Sequence, residues 1–371
     1  MSNSTKTIQE AHSRAKVELF QIYLKTYLNI LSRATHIHRI KIFDLCCGEG
    51  VYSDNSEGSP VKLMRSIKDH YFANNKSCIE SHLFFNDPGE SDIQKGVKKI
   101  DRVKAVGTDI FCPPEVYRVF TSKDYKEVYK DTLSKVNGLK SEERALIFID
   151  PWGYKMIKPI DINNLMANGK TEVLLFLPTS FMYRFARKSL NDPDFKGGLP
   201  LRSFLLELFK DSLPNYNDPL SFIEVLLQKF RDFDQVKFVD KFTIERGSGD
   251  YFCLFFFTNH IRGLQKIIEA KWKIDSKEGR GFELPKSQIE LFTGHRFSEY
   301  PELLWAYLKK EKAVTNEQLL QFGLGMGYLP KHTRDILQQD KTRFKVEALD
   351  NLPVGGFYLG NSKRKVVIKY L

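Results

Sequence analysis

Cysteine is scarce in this sequence: five residues in 371, an odd number. No C-x-x-C pair occurs, so neither a disulfide framework nor a zinc ribbon is written here. No two histidines have zinc-site spacing. His36 and His38 read as surface or interface residues flanking Ile37. Long apolar runs are also missing. Runs such as "LIFI" and "FCLFFF" fall far short of the ~20 residues that span a bilayer. The polar start, "MSNSTKTIQEAHSRAK", lacks the apolar stretch of a secretory signal. These absences predict a cytoplasmic protein with no membrane association. No internal repeat of solenoid or propeller period is present.

What is abundant is positive charge. Lys and Arg number 57 against 46 Asp and Glu, a net charge of +11. Such an excess favours an anionic partner, most often nucleic acid. A length of 371 residues predicts one large domain and a smaller one.

Periodicity supplies the architecture. Val17, Phe20, Leu24, Tyr27, Leu28 and Leu31 recur at three- and four-residue steps and predict one long helix over 9–34. Lys16, Lys25 and Arg33 are read as lying outside that stripe. Then "RIKIFDL", "SHLFFND", "RALIFID" and "EVLLFLP" read as strands separated by helical segments. A weaker strand is expected to close at Thr108-Asp109, with a helix over 115–138. Continuous apolar strands alternating with helices predict a parallel sheet covered on both faces. "VKFVDKFTIER" and "YFCLFFFT", on either side of Gly247-Ser248-Gly249-Asp250, predict a terminal antiparallel hairpin. The expected fold class is therefore α/β. It is Rossmann-like, of the methyltransferase type, with a mostly parallel sheet ending in that hairpin.

After about residue 275 the texture changes. Helical patterns at 300–310, 315–322 and 330–339 precede the short strands "FKVEAL", "GGFYL" and "KVVIKYL". This order predicts a winged-helix-like domain over 276–371, after a first domain over 1–275. Lys331, His332 and Arg334 on its third helix, and Lys363, Arg364 and Lys365 at a hairpin tip, have the side chains that reach phosphates and base edges.

The chemistry is expected at the strand ends. Asp44, Asp87 and Asp150 each close a predicted strand, with Asp109 a weaker fourth. Ligands of open α/β sheets bind outside the carboxyl ends of the strands. Gly48 and Gly50 allow a tight turn and close approach of a nucleotide. The third glycine of the dinucleotide fingerprint is absent, which favours a nucleoside without pyrophosphate, such as S-adenosylmethionine. Asp87 would then hold the ribose, Asp109 the adenine amino group, and Asp44 the glycine turn or the amino-acid end. "FIDPWGYK" places Asp150 and Pro151 to orient an acceptor amine, with Trp152 or Tyr154 as a platform for a flipped or single-stranded base. No metal is expected, although Asp87, Asp109 and Asp150 could be read as a Mg²⁺ cluster for phosphodiester cleavage. A further alternative is a non-catalytic subunit that binds nucleic acid or a partner.

Several stretches together resemble one family. They are "KVELFQIYLKTYLNIL", "IFDLCCGEGVYSD", Gly58-Ser59-Pro60, "FFND", "IFIDPWG" and "VTNEQLLQFGLGMGYLPKHTRDIL". Over nearly its whole length the chain resembles the three-Cys-motif partner proteins, a bacterial group of methyltransferase-like proteins. That family shows Phe-Ala-Gly-Pro-Gly where this chain has Cys46-Cys47-Gly48-Glu49-Gly50, and Phe in place of Trp152. The departure puts a carboxylate, Glu49, into the glycine turn. The resemblance implies a Rossmann-like methyltransferase fold and a partner encoded nearby, whose cysteines give the family its name. It does not supply a reaction.

Overall fold

The computed structural model describes residues 9–151, 156–210, 213–247, 249–276, 279, 281–282, 299–350, 353–360 and 364–371. The chain divides into two compact units. One is Met1–Gly263 with Phe282–Leu284; the other is Leu264–Gly281 with Pro285–Leu371.

The first unit opens with α1 (Ala11–Leu31) and then alternates. Its elements are β1 (Arg39–Asp44), α2 (Ser59–Ala73), β2 (Glu80–Asn86), α3 (Lys99–Thr108), β3 (Val116–Thr121), α4 (Tyr125–Asn137), β4 (Glu143–Ile149), α5 (Pro159–Met166) and β5 (Thr171–Leu177). Three helices follow: α6 (Thr179–Asn191), α7 (Leu199–Phe209) and α8 (Pro219–Arg231). The hairpin β6 (Phe238–Gly247) and β7 (Asp250–Thr258) completes the sheet, and α9 (Ile261–Ile274) carries the chain onward. The strand order is β3-β2-β1-β4-β5-β7-β6, with a two-residue strand β8 (Gly281–Phe282) at the far edge. The pairings from β3 through β5 are parallel, and β7 is antiparallel to both β5 and β6. This is the mostly parallel, hairpin-terminated sheet of the Rossmann-like methyltransferase fold.

The core follows from composition. β4 and β5 bury Ala145 to Ile149 and Val173 to Leu177, almost without polar interruption, as strands covered on both faces must. The hairpin turns at Gly249, whose φ of +73° suits a residue without Cβ, and Gly247 pairs with Asp250.

Two elements differ from the sequence reading. "KIDRVKAVGT" is the helix α3, so no strand closes at Thr108-Asp109. Ile100, Val103 and Gly107 bury one helical face, a three-and-four-residue spacing that overrides the β-leaning "AVGTDIF". The third parallel strand is instead "VYRVFT", inside the stretch over 115–138 where the sequence predicts a helix. In α1, Val17, Phe20, Leu24, Tyr27 and Leu28 are buried as expected, and so is Lys16.

In the second unit the order is α10 (Tyr300–Glu311), β9 (Ala313–Thr315), α11 (Asn316–Gly325), α12 (Pro330–Gln339), β10 (Phe344–Ala348) and β11 (Val366–Tyr370). The strands form an antiparallel sheet in the order β10-β11-β9. Tyr300 stacks on Tyr328 at 3.8 Å between centroids in its core. Asn316 clips the ends together, donating to the carbonyls of Tyr358 (2.9 Å) and Arg364 (3.0 Å) and accepting from Val366 N–H (3.2 Å). "GGFYL" is not a strand: Tyr358 takes φ +50° and Gly360 φ +111°, which break an extended run.

Candidate functional site

Strand register brings three of the four expected acids together. Asp44 lies on the same rung as Phe85 of β2 and Phe148 of β4. Asp87 and Asp150 stand two residues past that rung on either side. The order of the strands reverses between β1 and β4, so Asp44 and Asp150 flank the crevice where open α/β sheets bind ligands.

The turn after β1 needs its glycines. Gly48 has φ +65° and Gly50 φ +80°, in the left-handed region. A Cβ on Gly50 would come within 3.2 Å of Val103 and 3.3 Å of Val61, while one on Gly48 would meet nothing. Gly58 N–H donates to the Gly50 carbonyl at 2.7 Å and closes the loop before α2. Asp87 receives Gly48 N–H at 3.0 Å and Gly89 N–H at 2.8 Å, tying the β1 and β2 loops through one carboxylate. Burial raises its pKa; those two donors and Lys99 pull it back.

Asp44 is fully buried, and neither carboxylate oxygen has a hydrogen-bond partner of ordinary geometry. Its pKa is pushed up to about 8, first by burial and then by Asp150 and Asp87. Ser59 and Lys16 oppose the rise. An orphaned, buried carboxyl aimed at a crevice is costly for the fold alone, and it marks a place where a ligand donor could be received.

Asn86 braces the same edge. Its amide donates to the carbonyls of Leu45 (3.2 Å) and Lys123 (3.0 Å) and accepts from the Thr121 hydroxyl and Lys123 N–H, both at 2.9 Å. Three strand ends are thereby joined through one side chain. In the sequence it is overshadowed by Asp87, the acid one residue later.

Glu49 turns away from the glycine turn. It pairs with Arg102 and accepts from the Ser91 hydroxyl (2.6 Å) and Asp92 N–H (2.7 Å), so it organises the loop after β2. Cys46 and Cys47 are buried, and burial raises both thiols well above their ordinary pKa, which keeps them protonated and unreactive.

Asp150 is paired with Lys16 of α1, and the Lys16 ammonium lies 4.4 Å from the centre of the Phe176 ring. The sequence reading missed this lysine by treating it as surface. Its signal was position: it lies one turn before Phe20, which stacks on Phe148 of β4 at 4.6 Å, so its side chain points to the end of that strand. Pro151 is buried beside Asp150; Trp152 and Tyr154 lie outside the described residues.

Asp109 is not part of this site. It is exposed at the C-terminal end of α3. That helix runs back from the carboxyl edge, so Asp109 sits toward the opposite end of the sheet and cannot meet an adenine. The same placement dissolves the Asp87–Asp109–Asp150 cluster, and among the described residues no group of three His, Cys, Asp or Glu is placed to hold a metal.

In the second unit, Lys331 and Arg334 are exposed on α12 with Gln338, and Lys365 is exposed opposite Glu317 at 3.5 Å. Arg364 is not available as expected: its guanidinium grips both Asp350 oxygens at 3.1 Å and the Tyr358 hydroxyl at 2.8 Å. His332 is buried, and its Nδ1 accepts from Leu329 N–H at 3.2 Å. Burial lowers its pKa to about 4, so it is neutral and faces inward. Lys363 lies outside the described residues.

A separate cavity of about 470 Å³ is bordered by α6, α7 and residues 213–215, and none of the carboxyl-edge residues line it. No described helix is long and apolar enough to cross a membrane.

No family model matches the chain, and no curated protein matches it. Among solved structures, the chain is similar to an O-methyltransferase from Bacillus cereus in complex with SAH, at 12% identity and TM-score 0.28, over 64% of this chain and 80% of that one. It is also similar to a loganic acid methyltransferase with SAH, at 10% identity and TM-score 0.29, over 98% and 97% of the two chains. Likeness at this level does not bear on substrate; the fold assignment rests on strand order.

Proposed function

We propose that the chain is a cytoplasmic S-adenosylmethionine-dependent methyltransferase acting on nucleic acid. The observation that carries this reading is the crevice between β1 and β4. A glycine turn at positive φ is locked there to Asp87, and the orphaned Asp44 lies behind it. These residues suit a nucleoside with a cationic amino-acid end. Gly48 and Gly50 would line it, Asp87 would take ribose hydroxyls on the lone pairs its backbone partners leave, and Asp44 would receive the amino group. The bound cofactor supplies an electrophilic methyl group. Asp150 and the Pro151 carbonyl would orient an acceptor nitrogen, with Trp152 or Tyr154 as base platform. Methyl transfer rests mostly on alignment, so few side chains need react. Calorimetry with S-adenosylmethionine tests the reading: binding is expected, lost or weakened at least tenfold in Asp87→Ala. Absence of binding, or indifference to that substitution, overturns it.

The second unit supports nucleic acid as the target. Its helix–strand–helix–helix–strand–strand order suits a winged-helix-like module, with Lys331 and Arg334 exposed on α12 and Lys365 exposed just before β11. Replacing Lys331 and Arg334 with alanine should flatten the salt dependence of nucleic-acid binding by about two counterions.

One observation favours a second reading, a non-catalytic subunit: Asp150 is already paired within the chain. A tritiated-methyl assay on total RNA and DNA, with a neighbour-encoded three-Cys-motif partner present, separates the two.

A further inference from the structure

The residue assigned to hold the acceptor nitrogen already holds one. Lys16 reaches the end of β4 from α1, is 8% exposed, and places its ammonium against Asp150 and over the Phe176 ring. A carboxylate and an aromatic face together are the pair that receives an alkylammonium. A merely structural counter-ion for Asp150 would be equally satisfied at the rim in water. Here the amine is instead drawn under cover, beside Asp44 and Cys46, whose ionisation it affects. The helix that delivers it is fixed by the Phe20–Phe148 stack one turn away.

We propose that Lys16 is itself a methyl acceptor, and that the protein methylates this residue. The inference rests on the reading of the crevice as a site for a sulfonium methyl donor. In the step, the Lys16 ammonium first gives a proton to Asp150, which passes it to solvent and leaves the neutral amine. The nitrogen lone pair forms the new N–C bond, the methyl–sulfur bond breaks with its electrons going to sulfur, and the thioether departs. The product ammonium keeps its charge and gains apolar surface, so it still suits a carboxylate and a ring.

The test uses the full chain and S-adenosylmethionine bearing a deuterated methyl group. Peptide mass spectrometry is expected to find the label on Lys16 and no labelled residue in its place in Lys16→Arg. Asp150→Asn should slow labelling at least tenfold. Two measurements are independent of turnover. S-adenosylhomocysteine should bind the wild-type chain by calorimetry. Acetic anhydride should modify Lys16 at least tenfold more slowly than the exposed Lys25. Bound S-adenosylhomocysteine with an unlabelled Lys16, or label only on other lysines, overturns this inference and leaves the cofactor site standing. Equal acetylation of Lys16 and Lys25 overturns the pairing on which it is built. Failure of S-adenosylhomocysteine to bind overturns the cofactor reading, and this inference with it.

Discussion

The two ends of one sheet bury carboxylates in opposite ways. At the amino end Glu172 accepts from the Tyr23 hydroxyl at 2.5 Å and the Thr258 hydroxyl at 2.7 Å. Glu143 accepts from Arg39 (2.7 Å) and Lys140 N–H (3.0 Å), with Lys41 at 3.5 Å. Both of these buried acids are provided for. At the carboxyl end Asp44 has neither oxygen satisfied, and Asp87 and Asp150 crowd it with like charge. The same fold therefore holds one end as structure and the other in a costly state, which is where ligands are expected.

The difference between the two ends is most sensitive to substitution at Asp44. Its folded pKa lies near 8, above the unfolded value of 3.8, so the native state holds a proton that the unfolded chain releases. Stability from this group is present at low pH and is lost as pH rises through that window, by at most about 1.4 kcal/mol per pH unit. Asp44→Asn keeps a neutral side chain and should remove the slope, gaining up to about 3 kcal/mol over wild type near pH 7.5 relative to pH 5. Urea melts across pH read this directly, and a slope unchanged in the variant would place the titration elsewhere.

Next comes Gly263→Ala. The new Cβ would collide with the Glu172 carboxylate and the Thr258 hydroxyl, disturbing the saturated end. Overpacking of this kind costs about 2–3 kcal/mol, to be seen as a lower urea midpoint with unchanged m-value. Tyr23→Phe leaves Glu172 one donor short and should cost about 1–2 kcal/mol. Burial already raises the Glu172 pKa. Removing the tyrosine donor, which favours the charged form, should raise it further and steepen the loss of stability as pH climbs above the ordinary carboxylate range. The smallest effect is expected from Glu80→Ala. Its ion pair with Arg39 is about one-third exposed on both sides, so the change should stay below about 1 kcal/mol and shrink in high salt.

Much of the fold was legible because parallel strands buried on both faces announce themselves as apolar runs, as "LIFI" and "VLLFL" do. The hairpin was legible from its glycines. β3 was not, because "VYRVFT" lies at the sheet edge with Tyr117 and Val119 exposed, and it carries no buried run. Of the site, Asp44, Asp87 and Asp150 were legible as strand ends, and the register does bring them together. Asp109 was misplaced with the strand it was thought to end. Lys16 was hidden by its residue type: pattern reading assigns lysine to water, whereas a lysine one turn before a buried phenylalanine can reach past the core to a strand end.

The long first helix has a consequence beyond covering the sheet. Tyr23 fastens it to Glu172 at one end of the strands, and Lys16 fastens it to Asp150 at the other. The two anchors are seven residues apart, about 10.5 Å along the axis. A rod held at two points transmits displacement. A shift of the helix that parts Lys16 from Asp150 would load the tyrosine–glutamate clasp two turns along. Such a shift on occupancy of the crevice would then be readable as a change in the tyrosine's environment.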